Sequence, residues 1–376
     1  MIYFDNAATT APNREVCEAV MCGLENFGNP SSLHGLGLES EKLVSYAREI
    51  IAKAIGADGG EIYFTSGATE SNNTAIMGAV KKYGKRKSRI VTTSVEHPSV
   101  AEVCTQLELQ GFEIVRISPD DEGKIKAQDI ISAVDDNTFL VSCMLVNNEN
   151  GYILPIERAF SAIKRKFPQV LTHCDCVQGF MKIPVKVKKL GADMISLSGH
   201  KIHGPKGIGA LYIKKGVKIP SLIYGGGQEQ NFRSGTESVP LICGFGKAVE
   251  MLSGNISERC EYVKGLQDYL VEQCRNTEGV EVNSSADGSP YVTSIAVENL
   301  KSEVLLHFLE EQEIYVSSGS ACSKGKKSSV LKEFKVQEKH LDSTIRISFC
   351  ADNTKEEIDC LMTAIKQAQQ KLCGIK

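Results

Sequence analysis

The sequence predicts an α/β domain built on a largely parallel sheet, with a smaller α+β unit after it. From Glu61 to Ile213 strand-like and helix-like runs alternate, as crossover helices between parallel strands require. Past Gly254 the pattern changes to helices interspersed with short isolated strands. A third observation concerns chemistry. The polar clusters of the first region fall at the carboxyl ends of predicted strands, where open α/β sheets hold ligands. A chain of 376 residues exceeds what one ordinary core supports. A large unit, 13–254, and a small one, 1–12 with 255–376, are therefore expected.

Taken in order, residues 1–12 read as an extended arm ending at Pro12. Asn13 is placed to cap a helix with Val16, Ala19, Val20 and Gly23 on one face. Asn29-Pro-Ser-Ser-Leu-His-Gly35 is a polar turn. A long amphipathic helix, Glu39 to Ile55, follows and is stopped by Gly56. Strand Glu61–Thr65 runs into Ser66-Gly-Ala-Thr-Glu-Ser71 and a helix to Lys82. Strand Arg89–Thr93 runs into Glu96-His-Pro-Ser99 and a helix to Gln110. Strand Thr138–Val146 leads to Asn147-Asn-Glu-Asn-Gly151 and a helix near Arg158–Phe167. Leu171–Asp175 leads to Cys176-Val-Gln-Gly179, and Met194–Leu197 to a glycine-rich turn and a second strand ending at Ile213. The small unit reads as helix Glu258–Arg275, strands Gly279–Asn283 and Val292–Val297, and helix Ser302–Gln312. A loop around Cys322, strand Thr344–Phe349 and helix Lys355–Lys371 complete it.

The net charge of −3 supplies no basic field, so direct nucleic-acid binding is not expected. No signal peptide and no run long enough to cross a bilayer is visible, so a cytoplasmic protein is expected. The 13 cysteines are scattered, with no C-x-x-C pair, which supports neither a disulfide framework nor a metal site. Most read as reduced, small core residues.

The segment Ser198-Gly-His-Lys-Ile-His-Gly-Pro-Lys-Gly-Ile-Gly209 sets Lys201 among histidines and glycines after a strand. Lysine amines form Schiff bases with carbonyls, and pyridoxal phosphate is the commonest carbonyl cofactor held this way. Such a site needs further groups. Asp175 ends a strand and suits a protonated pyridine nitrogen, although a turn or cap aspartate fits the sequence equally well. Period two puts Val177 on its side and Cys174 and Cys176 on the other, as packing. Ser66-Gly-Ala-Thr69, at a strand-to-helix turn, can cradle a phosphate or be an ordinary cap. His97 can stack on a ring and move protons, or be a structural loop histidine. The Gly225-Gly-Gly to Ser234-Gly-Thr236 stretch is a polar loop. Cys322 sits among small residues with Lys324, Lys326 and Lys327 nearby, a setting that favours thiolate. Arg346 alternates with apolar residues, as a carboxylate clamp does, with an edge-strand arginine as the alternative.

Together these segments resemble the cysteine desulfurases of the NifS/IscS type, class V members of the fold-type I pyridoxal-phosphate enzymes. The resemblance runs from Tyr3-Phe-Asp-Asn-Ala-Ala-Thr-Thr10 to the final helix. It rests on Asn29-Pro-Ser-Ser32, Thr65-Ser-Gly-Ala-Thr-Glu-Ser71, Glu96-His97, Asn147-Asn-Glu149, His173-x-Asp175-x-x-Gln178, Ser198-x-His-Lys201, Arg233-Ser-Gly-Thr236 and Ser318-Gly-Ser-Ala-Cys322. It implies a large domain with a mostly parallel sheet and a small α+β domain carrying the Cys322 loop. It further implies Lys201 as the Schiff-base lysine and Asp175 on the pyridine nitrogen. Gln178 falls to the ring hydroxyl, and His97 to stacking and acid–base work. Ala68, Thr69, Ser198 and His200 fall to the phosphate, and Asn148 lines the pocket. Thr236 reaches the phosphate of a second subunit, hence a homodimer, and Arg346 holds the substrate α-carboxylate. Cys322 takes sulfur from L-cysteine as a persulfide, releasing alanine. The sulfur then passes to an acceptor, such as an iron–sulfur scaffold or a tRNA-thiolation protein. No resident metal is implied, although a transient iron–sulfur cluster on Cys322 is compatible. The loop from Cys322 to Leu331 and the C-terminus are shorter than in housekeeping relatives, which bears on the acceptor served. A selenocysteine lyase or another class V aminotransferase is the competing reading; the latter has no use for Cys322.

Overall fold

The computed structural model describes residues 1–318 and 328–372. After the short strand β1 (Ile2–Tyr3), seven strands form one sheet. They are β2 (Ile62–Thr65), β3 (Arg89–Thr93), β4 (Glu113–Ile117), β5 (Thr138–Met144), β6 (Leu171–Asp175), β7 (Met194–Ser198) and β8 (Gly209–Ile213). Their order is β2-β8-β7-β6-β5-β3-β4, parallel except where β8 runs antiparallel to both neighbours. This is the mostly parallel sheet that the alternation predicts. Strands β5 to β8 are buried at every position, so they read as apolar runs instead of alternating ones. Their two faces still divide by period two. Val141, Cys143, Cys174 and Ile195 face one core beneath helices Gly35–Ile55, Ile156–Lys166 and Val239–Ser253. Leu140, Leu171 and Met194 face another beneath Ala68–Tyr83 and Pro98–Leu109.

The remaining strands are β9 (Val280–Val282), β10 (Val292–Val297), β11 (Ile314–Tyr315) and β12 (Thr344–Ser348). β12, β10 and β9 form an antiparallel sheet in that order, and β1 pairs in parallel with β11. Helices Ile256–Arg275, Ser302–Glu310 and Lys355–Leu372 cover this third core. The N-terminal arm joins it through Phe4, whose ring meets Phe349 edge-on at 5.5 Å.

Three local differences from the expected elements have physical causes. The long helix begins at Gly35 instead of Glu39, because the His34 side chain caps it by accepting from Gly37 N. Strand β4 is unmarked in the sequence because it is an edge strand, half-exposed and carrying Glu113 and Arg116. Helix Val239–Ser253 was hidden by Gly244 and Gly246, which are there for packing. A Cβ on Gly246 lies 2.7 Å from Ala47 Cβ, and one on Gly244 lies 2.6 Å from Val20 Cγ2, so only hydrogen fits between these helices.

Candidate active site

A pocket of about 600 Å3 opens at the carboxyl ends of β2, β6 and β7. Asp175, the last residue of β6, lies at its edge, 6 % exposed. One carboxylate oxygen accepts from Asn72 Nδ2 at 2.8 Å and the other from Val177 N at 3.0 Å. The Asn72 amide also donates to Ser99 Oγ at 2.8 Å, and Ser99 Oγ is 2.8 Å from His97 Nδ1. Ser99 N donates to that nitrogen as well, at 3.1 Å. With Nδ1 accepting, the neutral imidazole carries its proton on Nε2. Burial holds His97 below the ordinary histidine range, with Asp175 opposing that shift and Lys201 adding to it. Val177 lines the pocket beside Asp175, whereas Cys174 and Cys176 are fully buried with their sulfurs 3.5 Å apart. Behind this layer lies Glu96, which accepts from Thr93 Oγ1 and Met144 N through Oε1. Burial pushes its carboxyl up to about 8.

Lys201 lies opposite Asp175 in the turn between β7 and β8. Its Nζ donates to Ala7 O at 2.7 Å and Ala8 O at 2.6 Å, so the N-terminal arm forms part of the pocket. Gln178 Nε2 donates to the same Ala7 carbonyl at 2.9 Å. Its Oε1 accepts from Lys182 Nζ at 2.8 Å, which fixes which end of the amide donates. Lys182 is 6 % exposed, and burial together with Lys201 and Arg346 lowers its ammonium to about 7.

At the opposite end, Ser66, Gly67, Ala68 and Thr69 line the pocket where the 16-residue helix Ala68–Tyr83 begins. Ser198 Oγ is buried there with no hydrogen-bond partner among the described residues. Gly209 admits the Gly67 backbone, which lies 2.8 Å from where its Cβ would be. His200 completes this end; burial, with Lys201 and Lys206, lowers it to about 4, so it is neutral. An orphaned hydroxyl beside a helix N-terminus fits a bound phosphate group.

Arg346 comes from β12, whose far side is bridged by Ser317 and the N-terminal arm, and its side chain is 3 % exposed and reaches the pocket. Its guanidinium pairs with Asp5 at 2.8 Å and donates to Asn148 O at 2.9 Å, while Nε has no partner among the described residues. Asn148 also lines the pocket. Thr236 does not: it is exposed and absent from the wall, although Arg233 in its loop pairs with Glu70 on the rim at 2.8 Å. Cys322 lies outside the described residues.

Residues 2–361 match the family described as aminotransferase class-V. The chain belongs to that family. It is 40 % identical over 379 residues to a protein of Methanosarcina thermophila named cysteine desulfurase IscS, covering 99 % of this chain and 92 % of that one. A solved NifS-like protein superposes with a TM-score of 0.93 at 38 % identity, covering 98 % of this chain and 99 % of that one. Another structure, described as SspA in complex with cysteine, gives a TM-score of 0.83 at 35 % identity over 94 % of this chain and all of the other (100 %). Among class-V proteins of this kind the fold is the fold-type I architecture that the motifs implied. The sequence reading missed Asn72, Ser99 and Lys182. Asn72 directly follows the Ser66–Ser71 motif, and Ser99 closes Glu96-His-Pro-Ser99, so adjacency was the available signal.

Proposed function

We propose that this chain is a pyridoxal-phosphate-dependent cysteine desulfurase. It converts L-cysteine to L-alanine and leaves the sulfur as a persulfide on Cys322. The reading is carried by the convergence of Lys201, Asp175 and the orphaned Ser198 hydroxyl on one pocket. The full-length similarity to proteins named cysteine desulfurase supports it, as does the relative described in complex with cysteine.

On this reading Ser198, Thr69, His200 and the helix N-terminus at Ala68 hold the phosphate, Asp175 pairs with the pyridine nitrogen, and Lys201 makes the Schiff base. When bound, the cofactor supplies an electron sink conjugated to the substrate Cα, which loosens both the Cα proton and the bond from Cβ to sulfur. The rest belongs to the chain. Asn72 keeps Asp175 oriented and, through Ser99, keeps the His97 proton on Nε2, where it can be given or taken. Gln178 presents its amide Nε2 to the ring hydroxyl because Lys182 holds Oε1. Arg346, with Asn148 beside it, binds the substrate α-carboxylate. The Ala7 and Ala8 carbonyls receive the Lys201 ammonium whenever its carbon bond is open, so the amine stays close for proton transfer. The Cys322 thiolate attacks the substrate sulfur: an S–S bond forms, the Cβ–S bond breaks towards carbon, and protonation yields alanine. The sulfur then goes to an acceptor protein, an iron–sulfur scaffold or a tRNA-thiolation protein.

The division into 13–254 and 1–12 with 255–376, and a homodimer in which Thr236 completes the partner's phosphate site, belong to the same proposal. The exposed Thr236, clear of its own pocket, supports the second. The test is product analysis with L-cysteine and a reductant: alanine and sulfide in equal amounts, both lost in Cys322→Ala. A 2-oxo acid without sulfide marks an aminotransferase instead. Sulfide release surviving in Cys322→Ala removes that residue from its role. A strong preference for selenocysteine over cysteine marks a lyase.

A further inference from the structure

We propose that His203, Cys350 and Asp352 form a binding site for one divalent transition-metal ion, best matched to zinc(II). The site ties the Lys201 turn to the end of β12. Cys350 and Asp352 are two residues apart, and the fold brings His203, about 150 positions earlier, to them. Their ligand atoms all lie within 4.8 Å of one another. Cys350 Sγ is 4.0 Å from Asp352 Oδ2. In a tetrahedral zinc site, bonds of about 2.3 Å to sulfur and about 2.0 Å to nitrogen and oxygen set ligand atoms roughly 3.3–3.7 Å apart. Closing on an ion therefore asks for shifts of about 1 Å or less, which the exposed Asp352 side chain can make.

The histidine is held as a metal ligand needs to be. His203 adopts a left-handed backbone at φ 61°, a costly conformation for a side chain with a Cβ. Its N–H donates to Thr10 Oγ1 at 2.6 Å, and its ring Nδ1 is 2.8 Å from Ala11 O. Donation from Nδ1–H to that carbonyl leaves the lone pair on Nε2, as the backbone carbonyls behind metal-bound histidines commonly do. The donor set of thiolate, imidazole and carboxylate, with room for a water, suits zinc among the divalent ions.

Lys182, Lys201 and Arg259 border the small cavity of about 30 Å3 that His203 and Cys350 also line, so a cation there must be neutralised by its ligands. Binding replaces the Cys350 thiol proton, which leaves to solvent, so thiolate and carboxylate together cancel the two charges of the ion. Its place in the fold gives the site a consequence. His203 lies in the turn that carries Lys201, and Cys350 continues the strand that carries Arg346, so a bound ion fixes the lysine relative to the clamp. That consequence rests on the desulfurase reading; the metal site itself does not.

The test measures zinc on the full chain with its cofactor and again after the cofactor is removed. Wild type, Cys322→Ala, Cys350→Ser and His203→Gln are incubated with zinc(II), desalted and assayed for metal, with affinity read by competition against a chromophoric chelator. Wild type and Cys322→Ala should hold one zinc per chain, and Cys350→Ser and His203→Gln should bind at least tenfold more weakly. Retention unchanged in both variants, or wild type holding no more than Cys350→Ser, overturns the site. A second measurement covers the case where a variant misfolds. In unaltered protein, zinc should slow alkylation of Cys350 by iodoacetamide at least tenfold, read by peptide mass spectrometry, and an unchanged rate refutes the proposal. Because the metal is measured without turnover, failure here and failure of the desulfurase reading are separate results.

Discussion

Glu96 offers a sharp test of the electrostatics behind the pocket. Its carboxyl is buried behind Asp175 and pushed from an ordinary 4.5 up to about 8, chiefly by burial, with Asp175 adding to the effect. The folded chain therefore keeps a proton between pH 4.5 and 8 that the unfolded chain loses. A folded value raised in this way contributes stability that is complete below pH 4.5 and lost as pH rises towards 8. The loss is at most about 1.4 kcal/mol per pH unit, or about 3 kcal/mol between pH 4.5 and 7. For a chain of this size that is about 4 °C in Tm. In Glu96→Gln the amide oxygen keeps the bonds from Thr93 Oγ1 and Met144 N, and the dependence disappears. The amide nitrogen enters where Oε2 has no partner among the described residues, a constant penalty of about 1–3 kcal/mol. The slope is thus the informative quantity. Melting both proteins at several pH values from 4.5 to 8, with and without cofactor, should show the variant gaining on wild type as pH rises. Parallel curves, or a variant that falls behind at high pH, mean that Glu96 is ionised in the fold and the reasoning fails.

Three further outcomes follow from the same geometry. Arg346→Lys cannot hold a planar carboxylate with two parallel bonds, so KM for L-cysteine should rise about tenfold with kcat less affected, a split read in steady-state kinetics. Asn72→Ala should lower kcat by about 10^2 by releasing Asp175 and letting the His97 proton move to Nδ1, and it should also shift the acid limb of the pH–rate profile. For Lys182, whose value falls from 10.5 to about 7, the unfolded chain binds the extra proton between those values. Wild-type stability should therefore gain from this group as pH rises through that window, and Lys182→Met should remove that gain in a pH series of melts. If the Met variant follows wild type, the buried amine is not neutralised on folding.

Much of the pocket could be read from the sequence because its parts sit where strands turn into helices. Asp175, Ser198 and Lys201 each end or follow a strand, and that position shows in the alternation of apolar runs. What escaped depends on distance in the chain. Asn72 reads as one more polar residue on a helix until Asp175 arrives 103 positions later to accept from its amide. Lys182 resembles a solvated lysine; Gln178 and the Tyr291 ring, whose centre is 5.9 Å from its nitrogen, make it a buried one. Arg346 reads as an edge-strand residue or a clamp; Ser317 and the N-terminal arm bridge the far side of its strand, and its side chain lines the pocket.

The most direct test of the central claim is to reduce the cofactor-loaded protein with borohydride and locate the pyridoxyl group by peptide mass spectrometry. The account predicts one stable adduct per chain, on Lys201, and none in Lys201→Ala. No adduct after loading, or an adduct on another lysine such as Lys182, contradicts the site assembled here around Lys201.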